Sequence, residues 1–190
     1  MINMDFEERL QLLDLKNKVI VSSEKLILEE KIEDGKANLV CDLTNHSIAF
    51  LNADKNIVGY FKNHKCADAI IFQKIDNNDW KLIIIEFKKT LSIKNLTKSI
   101  EQFKGTVHNA LALAGILGIE EFKCIEVYSA YRNEKISSDK SENVVIQKNV
   151  NIRKLIKQWE QQQVNFDFIN SNVYYGRIEL DDLGAGCIRI

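Results

Sequence analysis

Asp68, Glu86 and Lys88 are the side chains whose types and spacing could do chemistry. Glu86 and Lys88 follow the apolar residues of the run KLIIIEFKKTL (residues 81–91), and Asp68 is the second residue of the run ADAIIF (residues 67–72). Side chains alternate along a strand, so Glu86 and Lys88 share a face with Leu82 and Ile84, while Ile83, Ile85 and Phe87 point the other way. A hairpin centred on Asn77 pairs residues equidistant from that turn, which sets Asp68 across from Glu86. Opposite residues on one face of an antiparallel pair have Cβ atoms only ~4.5–5.5 Å apart. Two carboxylates that close repel at neutral pH unless a cation holds them. The expectation is therefore a site for a hard divalent cation, Mg²⁺ with Mn²⁺ as a substitute, bound through Asp68 and Glu86 with water and phosphate oxygens completing its shell. Such a cation neutralises a phosphodiester and acidifies a water, while Lys88 could position that water or stabilise charge built up in the transition state. The plain alternative is a strand end reaching water with a Glu-x-Lys salt bridge; a register shifted by one residue would place the two acids on opposite faces.

The elements that must position these groups follow from pattern. Residues 5–16 and 23–32 favour helix, the second capped by Ser22 or Ser23. From 37 to 61 the texture changes to the short runs NLVCDL, SIAFL and IVGYF, separated by turn residues, which is strand chemistry. The two strands of the hairpin come next. Asn95 or Thr97 can cap a long helix that ends at Leu117 with Gly118 beyond it; Ile100, Phe103, Val107, Ala110, Leu111, Ala114 and Leu117 recur at helical spacing. FKCIEVYSAY reads as a further strand, NEKISSDKSEN as a polar loop, residues 151–163 as a helix and the rest as irregular. This order predicts an α+β or α/β single domain, residues 1–190, with a central mixed sheet flanked by helices. The N-terminal segment, residues 1–35, is expected to be helical, and residues 151–190 to form a helix and tail.

Composition bounds the class. A chain of 190 residues, 45% hydrophobic and 28% charged, is ordinary for a globular protein. The opening MINMDFEERL lacks the basic flank and apolar core of a secretory signal, and no stretch approaches the ~20 apolar residues of a membrane span. The expectation is a cytoplasmic protein without a membrane partner. Net charge of -1 argues against coating nucleic acid through a general basic surface. A local basic site remains: Lys88, Lys89, Lys94, Lys98 and Lys104 face a single acid, Glu101, in that stretch. Its alternative is a solvated helix face. Cys41, Cys66, Cys124 and Cys187 lie far apart without C-x-x-C spacing, so zinc is not suggested, and they are expected reduced and mostly buried.

Asp68, an apolar strand, a turn, a second apolar strand ending Glu86-Phe87-Lys88, then a helix and a strand resemble the PD-(D/E)XK nuclease superfamily, over residues 39–131. The resemblance implies a restriction-endonuclease-like core and a Mg²⁺-dependent endonuclease, a hydrolase cutting DNA phosphodiester bonds, in prokaryotic restriction or antiviral defence. It implies Asp68, Glu86 and Lys88 as catalytic residues, with Asp68 and Glu86 as metal ligands. Ala67 stands where the family usually has proline. The family often adds an acid from an upstream helix, for which Glu29 or Glu30 are the candidates, and a polar residue from the following helix, for which Gln102 is the candidate. With Lys89, Lys94 and Lys98, Gln102 would meet nucleic acid. A homodimer or a partner subunit of a defence complex would be compatible, and RNA cannot be separated from DNA because nothing reads a 2′-hydroxyl. The motif is short, and a catalytically inactive binding or scaffold subunit on the same fold is the alternative.

Other polar residues are weighed against packing. Gln102, Thr106 and Asn109 follow one side of the long helix and read either as a strip facing the site or as a solvated flank. His46, His64 and His108 have no metal-ligand partner at helical spacing. Tyr128, Tyr131 and Arg132 could meet a base or phosphate but fit strand packing. DLGAG lacks the strand-to-helix context of a phosphate loop, and Trp159 reads as core or a dimer contact.

Overall fold

The computed structural model describes residues 5–13, 19–32, 35–53, 65–76, 79–142, 148–169 and 173–190. The predicted strand IVGYF, His64 and the hairpin centre Asn77 lie outside these residues. In chain order the elements are α1 (Phe6–Leu10), β1 (Val19–Ser22), β2 (Lys25–Ile32), β3 (Gly35–Asp42), β4 (Ser47–Leu51), β5 (Ala69–Lys74), β6 (Trp80–Leu91), α2 (Ile93–Leu117), β7 (Phe122–Glu134), α3 (Ile136–Glu142), α4 (Val150–Glu160), β8 (Gln163–Val164), β9 (Val173–Glu179) and β10 (Ala185–Arg189). The fold is α+β with a mixed sheet. Among the described residues no helix is long and apolar enough to cross a membrane.

The main sheet runs β1-β4-β5-β6-β7-β9-β8, and β10-β3-β2 form a smaller one. Strands β4, β5 and β6 make an antiparallel meander; α2 then crosses over and returns the chain as β7, parallel to β6. Both faces of β5 and β6 are covered, which is why Ile70, Ile71, Phe72 and Leu82 to Ile85 can be a continuous apolar run. On one face Ile70, Phe72, Leu82 and Ile84 pack against Leu96, Phe103, Val107 and Ala110 of α2. On the other, Ile71, Ile83, Ile85 and Phe87 pack with Leu26, Leu28, Leu39 and Cys41 of the small sheet. The site residues are thus built on and beside two strands with both faces covered.

Helix α2 ends at Gly118 as expected, in a left-handed conformation (φ 76°) that glycine adopts without Cβ strain. Its cap is Ser92, not Asn95 or Thr97: the Ser92 hydroxyl accepts from the Asn95 backbone at 3.2 Å, the Asn95 side chain turns back to the Thr90 carbonyl, and the Thr97 hydroxyl bonds the Ile93 carbonyl inside the helix. Leu111 faces outward, 46% exposed, while Leu96 and Leu113 are buried in its stead.

Several expectations are corrected. Residues 25–32 are strand, not helix: Leu26 and Leu28 are buried and Ile27 and Glu29 exposed, a period of two that pairing with β3 enforces over the helix preference of Glu, Lys and Leu. The N-terminal segment is therefore mostly strand, and the described helix within residues 5–16 is only Phe6–Leu10. NEKISSDKSEN is not all loop, because Ile136 is buried and anchors α3. The last helix is Val150–Glu160, and Gln163 begins β8. The C-terminal end is not irregular: β9 lies beside β7, and β10 pairs in parallel with β3. In the DLGAG run Gly184 (φ 83°) turns the chain between these strands. Cys41 and Cys66 are buried, but Cys124 and Cys187 are exposed.

Candidate functional site

The hairpin register places the acids where the spacing predicted. Ala69 pairs with Ile85 and Ile70 with Ile84, so the next position sets Asp68 across from Glu86, one residue beyond the last rung. Asp68 shares the face of Ile70 and Phe72, and Glu86 that of Leu82 and Ile84, the face covered by α2. The Asp68 carboxylate accepts the backbone N–H of Phe87 at 2.7 Å, in place of a strand carbonyl.

Glu86 is 2% exposed. Its Oε1 contacts the ammonium of Lys88, and its Oε2 is a buried oxygen with no hydrogen-bond partner. Lys88 also donates to Gln102 Oε1 at 3.1 Å, and Gln102 Nε2 donates to the Cys66 carbonyl at 3.2 Å. Burial first, and the negative charge of Asp68 second, push the Glu86 carboxyl from its ordinary 4.5 up to about 8, against the opposing pull of Lys88 and Gln102. One ammonium does not offset the loss of water around a carboxylate that also faces another. A divalent cation would reverse this balance, because a nearby ion charge inverts the local logic of protonation.

The segment carrying Asp68 is held mainly by α2. Ala67 N–H donates to the Thr106 hydroxyl at 2.6 Å, and that hydroxyl donates in turn to the Gln102 carbonyl at 2.7 Å. The Asp68 carbonyl accepts from Ala53 at 3.0 Å. Gln102 and Thr106 therefore face the site, and Thr106 and Asn109 are buried rather than a solvated flank. Thr106 is the site residue whose importance the sequence reading did not single out. Its signal was the four-residue spacing from Gln102, which puts both on one helical face.

Other predicted residues lie elsewhere. Glu30 and Glu29 sit on β2, and Glu30 shares the side of Leu26 and Leu28, which meets the face of the main sheet opposite to Glu86. The expected upstream helical acid is absent from this position because the segment is a strand. Among the described residues no three His, Cys, Asp or Glu side chains group to hold a metal. The two carboxylates, Asp68 and Glu86, the latter with one orphaned oxygen, nonetheless fit a metal that would retain much of its water shell. Lys89 is exposed and points to the face opposite Lys88; Lys94 and Lys98 are exposed on the first turns of α2. His108 packs on the Phe168 ring at 4.3 Å, and His46 is 3.4 Å from the Ser23 hydroxyl. Tyr128 and Tyr131 are packed in the sheet, Arg132 bonds the Lys36 carbonyl, and Trp159 is core with the Arg177 guanidinium 4.9 Å from its ring centroid.

Comparisons of the chain with models of protein families, with curated proteins and with solved structures found no match, and its functional reading rests on the site's own geometry.

Proposed function

We propose that the protein is a Mg²⁺-dependent endonuclease that hydrolyses phosphodiester bonds of DNA. The observation that carries this reading is the buried, partnerless Oε2 of Glu86 beside a second carboxylate, Asp68, on one face of a hairpin. The order β4-β5-β6-α2-β7, an antiparallel meander followed by a helical crossover to a parallel strand, supports it by resemblance to the PD-(D/E)XK core. That resemblance also suggests a place in restriction or antiviral defence, with Mn²⁺ able to substitute for Mg²⁺.

When bound, the cation supplies charge neutralisation for the phosphate and a lowered pKa for a water. The remaining work falls to the chain. Asp68 and Glu86 would hold the ion, Glu86 giving up its proton to do so. Lys88, within β6, is held by Glu86 and Gln102 and would direct an N–H toward the attacking water or a phosphate oxygen. Gln102 orients the amine and tethers the Cys66 carbonyl. Lys94 and Lys98, exposed on the first turns of α2, would meet the nucleic-acid backbone outside the site.

The test is cleavage of supercoiled plasmid, single-stranded DNA and RNA with Mg²⁺, Mn²⁺ or EDTA, comparing wild type with Lys88→Ala and Asp68→Ala. Metal-dependent cutting lost in both variants supports the proposal. A second reading, a non-cutting scaffold or binding subunit, is favoured by the direct contact of Lys88 with Glu86, which an ordinary salt bridge would also make. It predicts no cleavage and no binding of Mn²⁺.

A further inference from the structure

Strand β5 begins only at Ala69, so the residue on which the proposed chemistry depends most is not itself held by the ladder. Asp68 is located by bonds around it: its carbonyl to Ala53 N–H, its carboxylate to Phe87 N–H, and the clamp on the two preceding residues. That clamp has an outer and an inner part. Gln102 holds the Cys66 carbonyl from a partly exposed position, and the Thr106 hydroxyl, fully buried, holds Ala67 N–H. We propose that Thr106 is a positioning residue, whose hydroxyl fixes the Cys66–Ala67 peptide just ahead of Asp68 so that the Asp68 carboxylate reaches both the Phe87 amide and the site facing Glu86. The metal-binding consequence rests on the nuclease reading; the geometry of Asp68 does not.

The chemistry demands a hydroxyl. The group donates to Gln102 O at 2.7 Å, a back-bond common for threonine in helices, and this leaves its lone pairs directed at Ala67 N–H at 2.6 Å. Valine has the same shape without an acceptor, so the Ala67 amide would be buried with nothing to receive it. The segment must then shift to find another partner, and one residue on, the carboxylate moves with it. Serine retains the acceptor and loses only a methyl group.

The experiment is amide hydrogen exchange on Thr106→Val, Thr106→Ser and Thr106→Ala, with Mn²⁺ titration calorimetry and urea unfolding on the same samples. Phe87 N–H reports the Asp68 carboxylate directly, and Ile85 N–H, paired with Ala69 inside the ladder, serves as the control. The expected result is Phe87 exchange faster by ~10-fold or more in the valine and alanine variants, with Ile85 unaffected and serine near wild type. Mn²⁺ affinity should fall by ~10–100-fold in the same two variants and recover with serine. Unchanged Phe87 exchange in Thr106→Val overturns the proposal. So does acceleration shared equally by Ile85, or failure of both the valine and alanine variants to fold, since the hydroxyl would then support the fold as a whole. A wild-type protein that binds no Mn²⁺ refutes the metal reading instead, and the exchange data still decide the role of Thr106.

Discussion

Replacing Glu86 by glutamine should remove a pH-dependent loss of stability that the buried carboxylate imposes. Its folded pKa is raised from 4.5 to about 8, so the unfolded chain gives up the proton more readily. A raised pKa means that stability is fully present below pH 4.5 and is lost as pH rises, until the folded group has ionised near pH 8. At ~1.4 kcal/mol per pH unit, the full interval corresponds to about 5 kcal/mol, of which roughly 4 falls between about pH 5 and about pH 9. Glutamine keeps the shape but cannot titrate, so ionising groups remote from the site are common to both proteins and cancel in the difference, which then reports Glu86 together with its coupling to Asp68 and Lys88. The assay is urea unfolding in EDTA at several pH values through that range, plotting wild type minus variant. Wild type should lose ground to Glu86→Gln steadily up to pH 8 and then run level. Curves that stay parallel within ~1 kcal/mol would refute the claim that burial and Asp68 together outweigh Lys88 at this carboxylate.

The same carboxyl should make Mn²⁺ binding release close to one proton per ion near neutral pH and almost none near pH 9, read from calorimetry in buffers of different ionisation enthalpy. Asp68→Ala and Lys88→Ala should each lower metal-dependent cleavage by at least ~100-fold, but only Asp68→Ala should abolish Mn²⁺ binding. The Lys94→Ala, Lys98→Ala double variant should flatten the salt dependence of DNA binding by close to two in logarithmic slope, leaving Mn²⁺ affinity alone. Ser92→Ala removes the N-cap of α2 and should cost about 1 kcal/mol in urea unfolding.

The hairpin and α2 were legible because local pattern and tertiary environment agree there. Ile70 to Phe72 and Leu82 to Ile85 are apolar on both faces, the turn between them is short, and the period of α2 is sustained over many turns. That was enough to set Asp68 against Glu86. β2 was not legible, because KLILEEKI satisfies helix propensity and strand alternation together, and only β3 decides between them. The upstream acid failed with it. For Thr106 helical spacing leaves both a strip facing the site and a solvated flank open, because its partner, Ala67 N–H, belongs to the backbone and leaves no mark in sequence. β9 and β10 were missed since their partners, β7 and β3, lie far away along the chain.

The parallel pairing of β3 with β10 sets an order of assembly. Asn38 meets Ala185, a separation of 147 residues, whereas Ala69 meets Ile85 across 16. Chain entropy makes the wider closure harder by about 2 kcal/mol, and in a growing chain the last strand emerges after the hairpin and α2 are complete. The carboxylate pair therefore belongs to the half of the molecule that closes first. The layer that backs it from behind, through Leu39, Cys41 and Ile83, is completed last, and under mild denaturant it is the part expected to open while Asp68 and Glu86 still face each other.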